Sequence, residues 1–220
     1  MRIRRLFCVV GVVGAAALGL CGLFGVAIAS AQSAPAKKFM IAAANPYAAQ
    51  AGYDVLRNGG TAADAAVAVQ MVLNLVEPQS SGIGGGAFIL YWNAETRTLH
   101  TIDGREAAPA TATPGRFLDE NGKKLGYWES AVGGQSVGVP GTLKALDITH
   151  RLFGSMRWEG LFDPAISLAR NGFEVSPRLA ASVKLADHLG RFEATKGYFF
   201  PGDLPLQAGS TLKNPVFAAT

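Results

Sequence analysis

One segment carries most of the information about the architecture of this chain: residues 58–78, which read NGGTAADAAVAVQMVLNLVEP. Its opening Asn-Gly-Gly is typical of the end of a helix, and Thr61 is a residue type that caps the start of the next one. The run Ala62–Leu75 is apolar nearly all round, which predicts a helix inside a layered core rather than on a surface. Glu77-Pro78 ends that helix, because the residue before a proline disfavours helical backbone.

The elements on either side of this helix follow from turn and strand signals. Upstream, Met40–Ala44 is apolar enough for a short strand, and Asn45-Pro46 supplies the cap and the first residue of another helix. Downstream, residues 78–86 are expected to form a loop. Ala87–Trp92 and Thr98–Asp103 are β-rich runs that flank a short turn, so they predict a hairpin.

The second half of the chain is predicted to be helical after a long loop. Residues 104–141 are rich in Gly, Pro and Ala and predict loop. Amphipathic spacing predicts three helices, at Thr142–Phe153, Leu161–Arg170 and Pro177–Leu189, and an irregular tail from Lys196. The expected fold class is therefore α+β (α/β layered), with helices packed on a sheet.

The net charge of the chain lies mostly at its N-terminus. The 220 residues include 20 Lys and Arg and 16 Asp and Glu, which gives a net charge of +4. Residues 1–31 contain three arginines and no acid, which leaves 17 basic and 16 acidic residues in the rest of the chain. No Lys/Arg cluster remains that could follow a phosphate backbone, so nucleic acid is not an expected partner.

The N-terminal segment has the pattern of an export signal. Its arginines precede an unbroken run of apolar and glycine residues, which ends in small residues spaced as signal peptidases require. Residues 1–31 are interpreted as a signal peptide or, alternatively, as an uncleaved membrane anchor, because the apolar run is long enough to span a bilayer. Either interpretation places the body outside the cytoplasm, in the periplasm or secreted. Residues 32–38 are then a linker and residues 39–220 the body.

Cysteine and histidine usage excludes several kinds of site. Both cysteines, Cys8 and Cys21, lie in the leader, so no disulfide, thiol nucleophile or cysteine zinc site is expected in the body. His100, His150 and His188 are far apart and lack metal-ligand spacing, so we expect surface or helix-face histidines and no metal. The Thr-His pair at residues 149–150 lies inside a predicted helix, where nothing would activate the threonine.

The glycine-rich segment Gly82–Gly86 leaves two interpretations open. A phosphate loop is disfavoured, because no Gly-Lys-Ser/Thr follows and the next predicted element is a strand rather than a helix. The segment is either a tight bend where backbones approach closely or unhindered backbone that lines a small-molecule pocket.

The charged cluster that most suggests a binding site is Asp103-Gly104-Arg105-Glu106, at the end of the second predicted strand. An arginine at a strand end can place two N–H groups on a substrate carboxylate, a geometry that lysine matches less well. The alternative is a local ion pair between Arg105 and Glu106 or Asp103 that only shapes the turn. From these residues alone the local ion pair is favoured, because exposed ion pairs are common and weak.

Seven motifs occur along the body of the chain in a defined order. They are Ala42–Pro46, Asn58–Ala68, Asn74–Pro78, Ser80–Gly86, Asp103–Glu106, Gly138–Gly141 and Pro164–Ser176. Together they resemble the large-subunit part of the γ-glutamyltransferase (γ-glutamyltranspeptidase) family. The resemblance covers about residues 39–220.

This resemblance implies a fold and a reaction. The fold is the four-layer αββα N-terminal-nucleophile hydrolase fold, of which this chain would cover only the N-terminal part. In the family a precursor cleaves itself, and the new amino-terminal threonine of the small subunit attacks a γ-glutamyl amide with its own α-amine as base. The resemblance implies glutathione as donor and water, an amino acid or a dipeptide as acceptor. It also implies the small subunit from the same precursor as partner, and no cofactor.

The resemblance also assigns roles to residues of this chain. Arg105 occupies the position of the family's clamp for the α-carboxylate of the donor, so substrate binding is now favoured over the local ion pair. Glu106 and Asp103 are expected to position Arg105 or to stabilise its loop. The residues expected to shape the core beside the site are Gly84, Gly85 and Gly86.

The chain departs from the family pattern at the nucleophile. The family carries it in a Thr-Thr-His-x-Ser-like segment, and this sequence contains no such segment. The chain is therefore expected to be a truncated part of a precursor, inactive by itself, with the catalytic threonine beyond it. The alternatives are a related acylase that cleaves cephalosporins or poly-γ-glutamate, or a non-catalytic secreted remnant or binding module.

Overall fold

The structure is a computed structural model that describes residues 38–220. Residues Phe39–Thr220 form one compact unit. The predicted signal peptide or anchor at residues 1–31, and the linker as far as residue 37, lie outside the described residues and stay predictions. No helix between residues 38 and 220 is both long enough and apolar enough to cross a membrane.

Helices dominate the described residues, with two pairs of strands between them. The α-helices are α1 (Pro46–Arg57), α2 (Ala62–Val76), α3 (Tyr127–Ala131), α4 (Thr142–Phe153), α5 (Asp163–Asn171), α6 (Pro177–Lys184), α7 (Glu193–Phe199) and α8 (Pro215–Ala219). The strands are β1 (Ala87–Asn93), β2 (Thr98–Gly104), β3 (Phe173–Glu174) and β4 (Thr211–Leu212). The predicted α+β class is confirmed.

Side-chain caps fix the start of both N-terminal helices. Asn45 Oδ1 accepts a hydrogen bond of 3.1 Å from the N–H of Tyr47 and caps α1. At α2, the N–H of Asp64 donates to Thr61 Oγ1 at 3.2 Å, and the N–H of Thr61 donates to Asp64 Oδ2 at 2.8 Å. This reciprocal pair is a capping box. Both helices begin where the sequence predicts.

Helix α2 is the centre of the core. It packs against α1, α4 and α5, and ten of its 15 residues are buried. Fully burying a side chain such as Val67, Val72 or Leu75 stabilises the fold by about 1.5–3 kcal/mol relative to exposure. The all-round apolar sequence of α2 therefore reflects helices packed on several of its sides.

One buried carboxylate ties α2 to the segment after α4. Asp64 is fully buried and accepts hydrogen bonds from the N–H and Oγ of Ser155 and from the N–H of Met156, at 3.0–3.3 Å. His150 Nε2 lies 3.4 Å from its Oδ1. Burial raises the pKa of Asp64, but the hydrogen bonds from Thr61 and Ser155 outweigh it and leave the pKa below its ordinary value.

The predicted hairpin forms and lies on α4. Strands β1 and β2 pair antiparallel, with Ile89 opposite Ile102. On the inner face, Tyr91 stacks on Phe153 of α4 with ring centroids 4.0 Å apart. The hairpin thereby fixes the position of the chain that leaves β2 at Gly104.

Several other predictions about elements are wrong. Met40–Ala44 is not a strand, because no neighbouring strand within residues 38–220 pairs with it. The helix predicted from Leu161 begins at Asp163, after a 3₁₀ turn at Glu159–Phe162. The helix predicted to reach Leu189 ends at Lys184.

The long loop and the tail contain more regular structure than predicted. Residues 104–141 include α3 and a 3₁₀ turn at Gly134–Ser136. The tail from Lys196 includes α8 and β4, and β4 pairs with β3 through Phe173 opposite Leu212. This pairing links residues about 40 positions apart, which local sequence patterns do not reveal.

Candidate functional site

The charged cluster predicted from the sequence lies where the chain leaves β2. Asp103 Oδ1 accepts a 2.9 Å hydrogen bond from the N–H of Arg105, which makes a tight turn at the strand end. Gly104 is buried against α4, since a Cβ at this position would lie 2.6 Å from Cβ of Ala145. Asp103 therefore shapes the turn through the backbone and does not pair with the guanidinium.

Arg105 and Glu106 form an ion pair. Arg105 Nη1 lies 2.8 Å from Glu106 Oε2, with 67% of the arginine side chain and 26% of the glutamate side chain exposed. One side of the guanidinium is thus fixed by the carboxylate while most of it faces solvent. The local ion pair that the sequence suggested is therefore present. It engages Nη1 of Arg105, so other N–H groups of the guanidinium remain for another ligand.

Two glycines make the space that Glu106 occupies. A Cβ on Gly86 would lie 2.6 Å from Glu106 Oε2 and 2.7 Å from the carbonyl oxygen of Gly104. A Cβ on Gly138 would lie 2.9 Å from Cβ of Glu106. Because real Cβ atoms do not come this close to other atoms, only glycine fits at either position.

The rest of the glycine segment contacts the start of α4. The carbonyl oxygen of Gly85 accepts hydrogen bonds from the N–H groups of Gly141 and Thr142, at 3.0 and 3.1 Å. Gly84 has no atom within 4 Å of the position its Cβ would take. Of the two interpretations of this segment, the close approach of backbones applies at Gly86, and the pocket-lining one applies at Gly84.

Two cavities meet at the Arg105–Glu106 pair. The first, of about 510 Å³, is lined by both residues together with Glu77, Ser81 and the glycine segment, and we call it the Glu77 cavity. The second, of about 490 Å³, is lined by both residues together with Arg116 and Gln135, and we call it the Arg116 cavity. The structure thus brings all six predicted site residues to one place, where the two cavities meet.

Glu77 also belongs to this region, although the sequence identified it only as the end of a helix and not as a site residue. Its carboxylate is 2% exposed and accepts hydrogen bonds from Asn45 Nδ2, Gln79 Nε2 and Arg178 Nη1, at 3.1, 2.6 and 2.9 Å. A charged residue that ends an otherwise apolar helix is the signal that could have identified it. Its hydrogen bonds connect the starts of α1 and α6 with the loop that carries the glycines.

Arg116 and Gln135 were also not identified from the sequence. Arg116 Nε donates to the carbonyl oxygen of Gln135, and Gln135 Nε2 donates to the carbonyl oxygen of Arg116. Both lie in the long glycine- and proline-rich stretch, where no periodic pattern indicates which side chains meet. Only the folded loop shows that they share a cavity with Arg105.

The histidines lie outside this site. His100 packs against Phe153 and His188 stacks on Trp128. His150 lies on α4 next to Asp64, and the hydroxyl of the buried Thr149 donates to the carbonyl of Ala145 at 2.7 Å. In the described part of the chain, no group of three His, Cys, Asp or Glu residues is placed to hold a metal ion.

Comparisons with known proteins point to one family. The family model for Gamma-glutamyltranspeptidase matches residues 48–220. The chain is 44% identical over 185 residues to the glutathione hydrolase proenzyme of Bacillus subtilis (strain 168), which covers 84% of this chain and 31% of that protein. The chain therefore spans about a third of the length of this curated relative.

Solved structures agree with this match. The Helicobacter pylori gamma-glutamyltranspeptidase structure has a TM-score of 0.80 and 34% sequence identity, over 85% of this chain and 54% of that chain. The Pseudomonas nitroreducens gamma-glutamyltranspeptidase structure has a TM-score of 0.76 and 32% identity, over 84% and 53%. The predicted resemblance and the N-terminal-nucleophile hydrolase fold are confirmed, and residues 38–220 contribute helices and one hairpin of that fold.

Proposed function

The chain belongs to the gamma-glutamyltranspeptidase family, and from that membership we propose that it is the donor-binding part of an enzyme that hydrolyses or transfers γ-glutamyl groups. Glutathione is the proposed donor, in line with the name of the Bacillus subtilis relative. Water, an amino acid or a dipeptide is the proposed acceptor.

Arg105 is the proposed clamp for the α-carboxylate of the donor. The observation that carries the proposal is the state of its guanidinium, which is paired with Glu106 on one side, largely exposed, and part of the lining of two cavities. A planar guanidinium in this state can present two parallel N–H groups to a carboxylate. Holding the α-carboxylate orients the γ-amide for attack, and orienting a bound substrate in this way lowers the barrier to the reaction.

The neighbours of Arg105 are proposed to position it. Glu106 Oε2 takes one side of the guanidinium, and Asp103 fixes the backbone turn on which Arg105 stands. Gly86 leaves the space for the Glu106 carboxylate, and Gly85 joins the loop to the start of α4. Gly84 contributes open backbone to the Arg116 cavity.

The chemical step needs a nucleophile that these residues do not provide. We assign it to an amino-terminal threonine of a small subunit cut from the same precursor, in the remaining two thirds of the relative's length. Self-cleavage of the precursor and an exported location, periplasmic or secreted, belong to the same proposal. The arginine-led apolar segment at residues 1–31 supports export.

Replacing Arg105 by lysine in the full-length protein tests the clamp. Arg105→Lys keeps the charge but loses the planar fork, so donor binding should weaken by about 1.5–3 kcal/mol, the scale of charge-assisted hydrogen bonds. That corresponds to a rise of about 10- to 150-fold in KM for γ-glutamyl-p-nitroanilide. Self-cleavage needs no donor carboxylate, so both subunits should still appear on a gel.

Arg57→Lys is the matched control. Arg57 is 60% exposed and also pairs with a carboxylate, Asp54, at 2.8 Å, but it lies on α1 away from both cavities. This variant should have the kinetics of the unmodified protein. An Arg105→Lys protein that is processed and binds donor normally would show that Arg105 only shapes the turn.

A further inference from the structure

The Arg116 cavity carries a second cation beyond the proposed clamp. Its lining contains two arginines, Arg105 and Arg116, and a single carboxylate, Glu106. That carboxylate already pairs with Arg105. The positive charge of Arg116 therefore has no counter-charge in the cavity lining, which favours an anionic ligand.

Arg116 is fixed in place without using its terminal nitrogens. Its Nε and its carbonyl oxygen make reciprocal hydrogen bonds with the carbonyl oxygen and the side-chain amide of Gln135. The side chain is half-buried rather than fully solvated. Because Nε of this guanidinium is already held, the side chain loses little conformational entropy when its two Nη groups bind a ligand.

The backbone that holds Arg116 is joined to the backbone that holds Glu106. Gly138 packs on Glu106, since its Cβ would lie 2.9 Å from the Cβ of Glu106. Gln135, three residues earlier, holds Arg116. Three extended residues span at most about 11 Å, so the anchors of the two arginines are within reach of one small peptide.

We propose that Arg116 binds a second carboxylate of the substrate, the C-terminal carboxylate of the peptide portion on the far side of the scissile γ-amide. This inference rests on the proposed function and names a substrate class for it: γ-glutamyl peptides or acceptor peptides that end in a free carboxylate. Arg105 binds one end of such a peptide, and Arg116 binds the other across the Arg116 cavity.

Two substitutions separate the charge of Arg116 from its hydrogen bond to Gln135. Arg116→Gln places an amide N–H at about the position of Nε, so it keeps the contact with Gln135 and removes the cation. Arg116→Lys keeps the cation and loses both Nε and the planar fork. Unchanged melting temperatures and normal subunit processing of both variants establish that the loop is intact.

The donor arm compares the KM of glutathione with that of glutathione amidated at its C-terminus, by glutamate release in the full-length protein. Arg116→Gln should raise the KM of glutathione at least about tenfold and leave that of the amide within about twofold, because only the free acid makes a charge-assisted contact. Arg116→Lys should retain part of the preference for the free acid. Arg105→Lys should raise both values alike.

The acceptor arm compares glycylglycine with glycylglycine amide, with γ-glutamyl-p-nitroanilide as donor. A selective loss for glycylglycine in Arg116→Gln, alone or with the donor effect, supports the site and shows that it takes the acceptor carboxylate. Equal losses for acid and amide in both arms, or no loss in either, would overturn the inference and leave the proposed function intact. A full-length protein that cleaves no γ-glutamyl donor would overturn both.

If Arg116→Gln is not processed, Arg116→Lys decides by itself. A preference for the free acid that is smaller than in the unmodified protein supports the site, because the lysine keeps the charge but loses the planar fork. A lysine variant that keeps the full preference of the unmodified protein in both arms, while Arg105→Lys still raises both KM values, overturns it.

Discussion

Glu106 fits beside Arg105 only because Gly86 has no side chain. A methyl group at residue 86 would come within 2.9 Å of three atoms, two of them in the carboxyl group of Glu106. The backbone carbonyl of Gly104 is the third and cannot move without shifting β2. The position of Arg105 therefore depends on the glycine segment through Glu106.

Gly86→Ala should weaken both stability and donor binding in the full-length protein. Overpacking of this kind costs about 1–3 kcal/mol in the free energy of unfolding, and displacement of Glu106 should raise the KM for γ-glutamyl-p-nitroanilide. Urea unfolding and steady-state kinetics measure the two effects. Gly160→Ala is the control, because no atom lies within 4 Å of its added methyl group and Gly160 lines neither cavity. Equal effects of the two substitutions would contradict the steric account.

Sequence reasoning found some site residues and not others for a physical reason. Arg105 and Glu106 are neighbours in the chain and stand at a strand end, so local pattern located the cluster, and the family resemblance gave Arg105 its expected role. Glu77, Arg116 and Gln135 join the site through contacts between distant residues, such as the 19-residue separation between Arg116 and Gln135. No periodicity in the sequence encodes such contacts.

At the scale of elements, the buried Glu77 carboxylate connects three helices. It ends α2, receives a hydrogen bond from Asn45 at the start of α1, and pairs with Arg178 in the first turn of α6 at 2.9 Å. Arg178 is 57% exposed while Glu77 is 2% exposed. The glutamate is therefore the partner that is left without solvation when the contact is broken, because water can solvate the exposed arginine.

Arg178→Ala should destabilise the protein by about 1.5–3 kcal/mol, since it leaves a buried carboxylate with two neutral donors only. Chemical denaturation at neutral pH measures the loss. Arg151→Ala is matched to it, because Arg151 pairs at 2.7 Å with Asp147 on the exposed side of α4, and it should cost less than about 1 kcal/mol. A loss for Arg178→Ala no larger than that of the control would show that Glu77 does not depend on the arginine.

Elements with strong local signals were predictable. Helices α1 and α2 carry side-chain caps and defined stops, and β1 and β2 are neighbouring runs joined by a short turn. The pair formed by β3 and β4 was missed, because each strand has two residues and its partner is distant in sequence. Met40–Ala44 shows the converse, since strand-like composition does not form a strand without a partner to pair with.

At the scale of the whole molecule, Asp64 makes the free energy of unfolding depend on pH. Its pKa lies below its ordinary value of 3.8, so the folded state binds this proton less readily than the unfolded state. The stabilising contribution is complete above pH values near 4 and is lost as the pH falls through the lower pKa of the folded state. Because the carboxylate joins α2 to the segment after α4, its protonation acts on the core.

Asp64→Asn should lower the free energy of unfolding by about 1.5–3 kcal/mol at neutral pH, since an amide replaces a carboxylate that accepts several hydrogen bonds. The difference from the unmodified protein should stay constant down to about pH 5 and shrink below pH 4. Urea unfolding at a series of pH values, followed by circular dichroism, measures it. Asp147→Asn is the control. Lys144 and Arg151 also lower the pKa of Asp147, but this carboxylate lies at an exposed position on α4 and not in the core. A difference that grows on acidification would contradict the sign of this coupling.

The most direct test of the central claim measures the coupling between Arg105 and the α-carboxylate of the donor. In the full-length protein and in Arg105→Lys, KM is compared for γ-glutamyl-p-nitroanilide and for the same compound with its α-carboxylate converted to a carboxamide. We expect Arg105→Lys to raise the KM of the carboxylate donor by about 10- to 150-fold and to leave that of the carboxamide donor nearly unchanged. An equal rise for both donors would contradict the account, because Arg105 would then act on the fold of the site and not on the carboxylate.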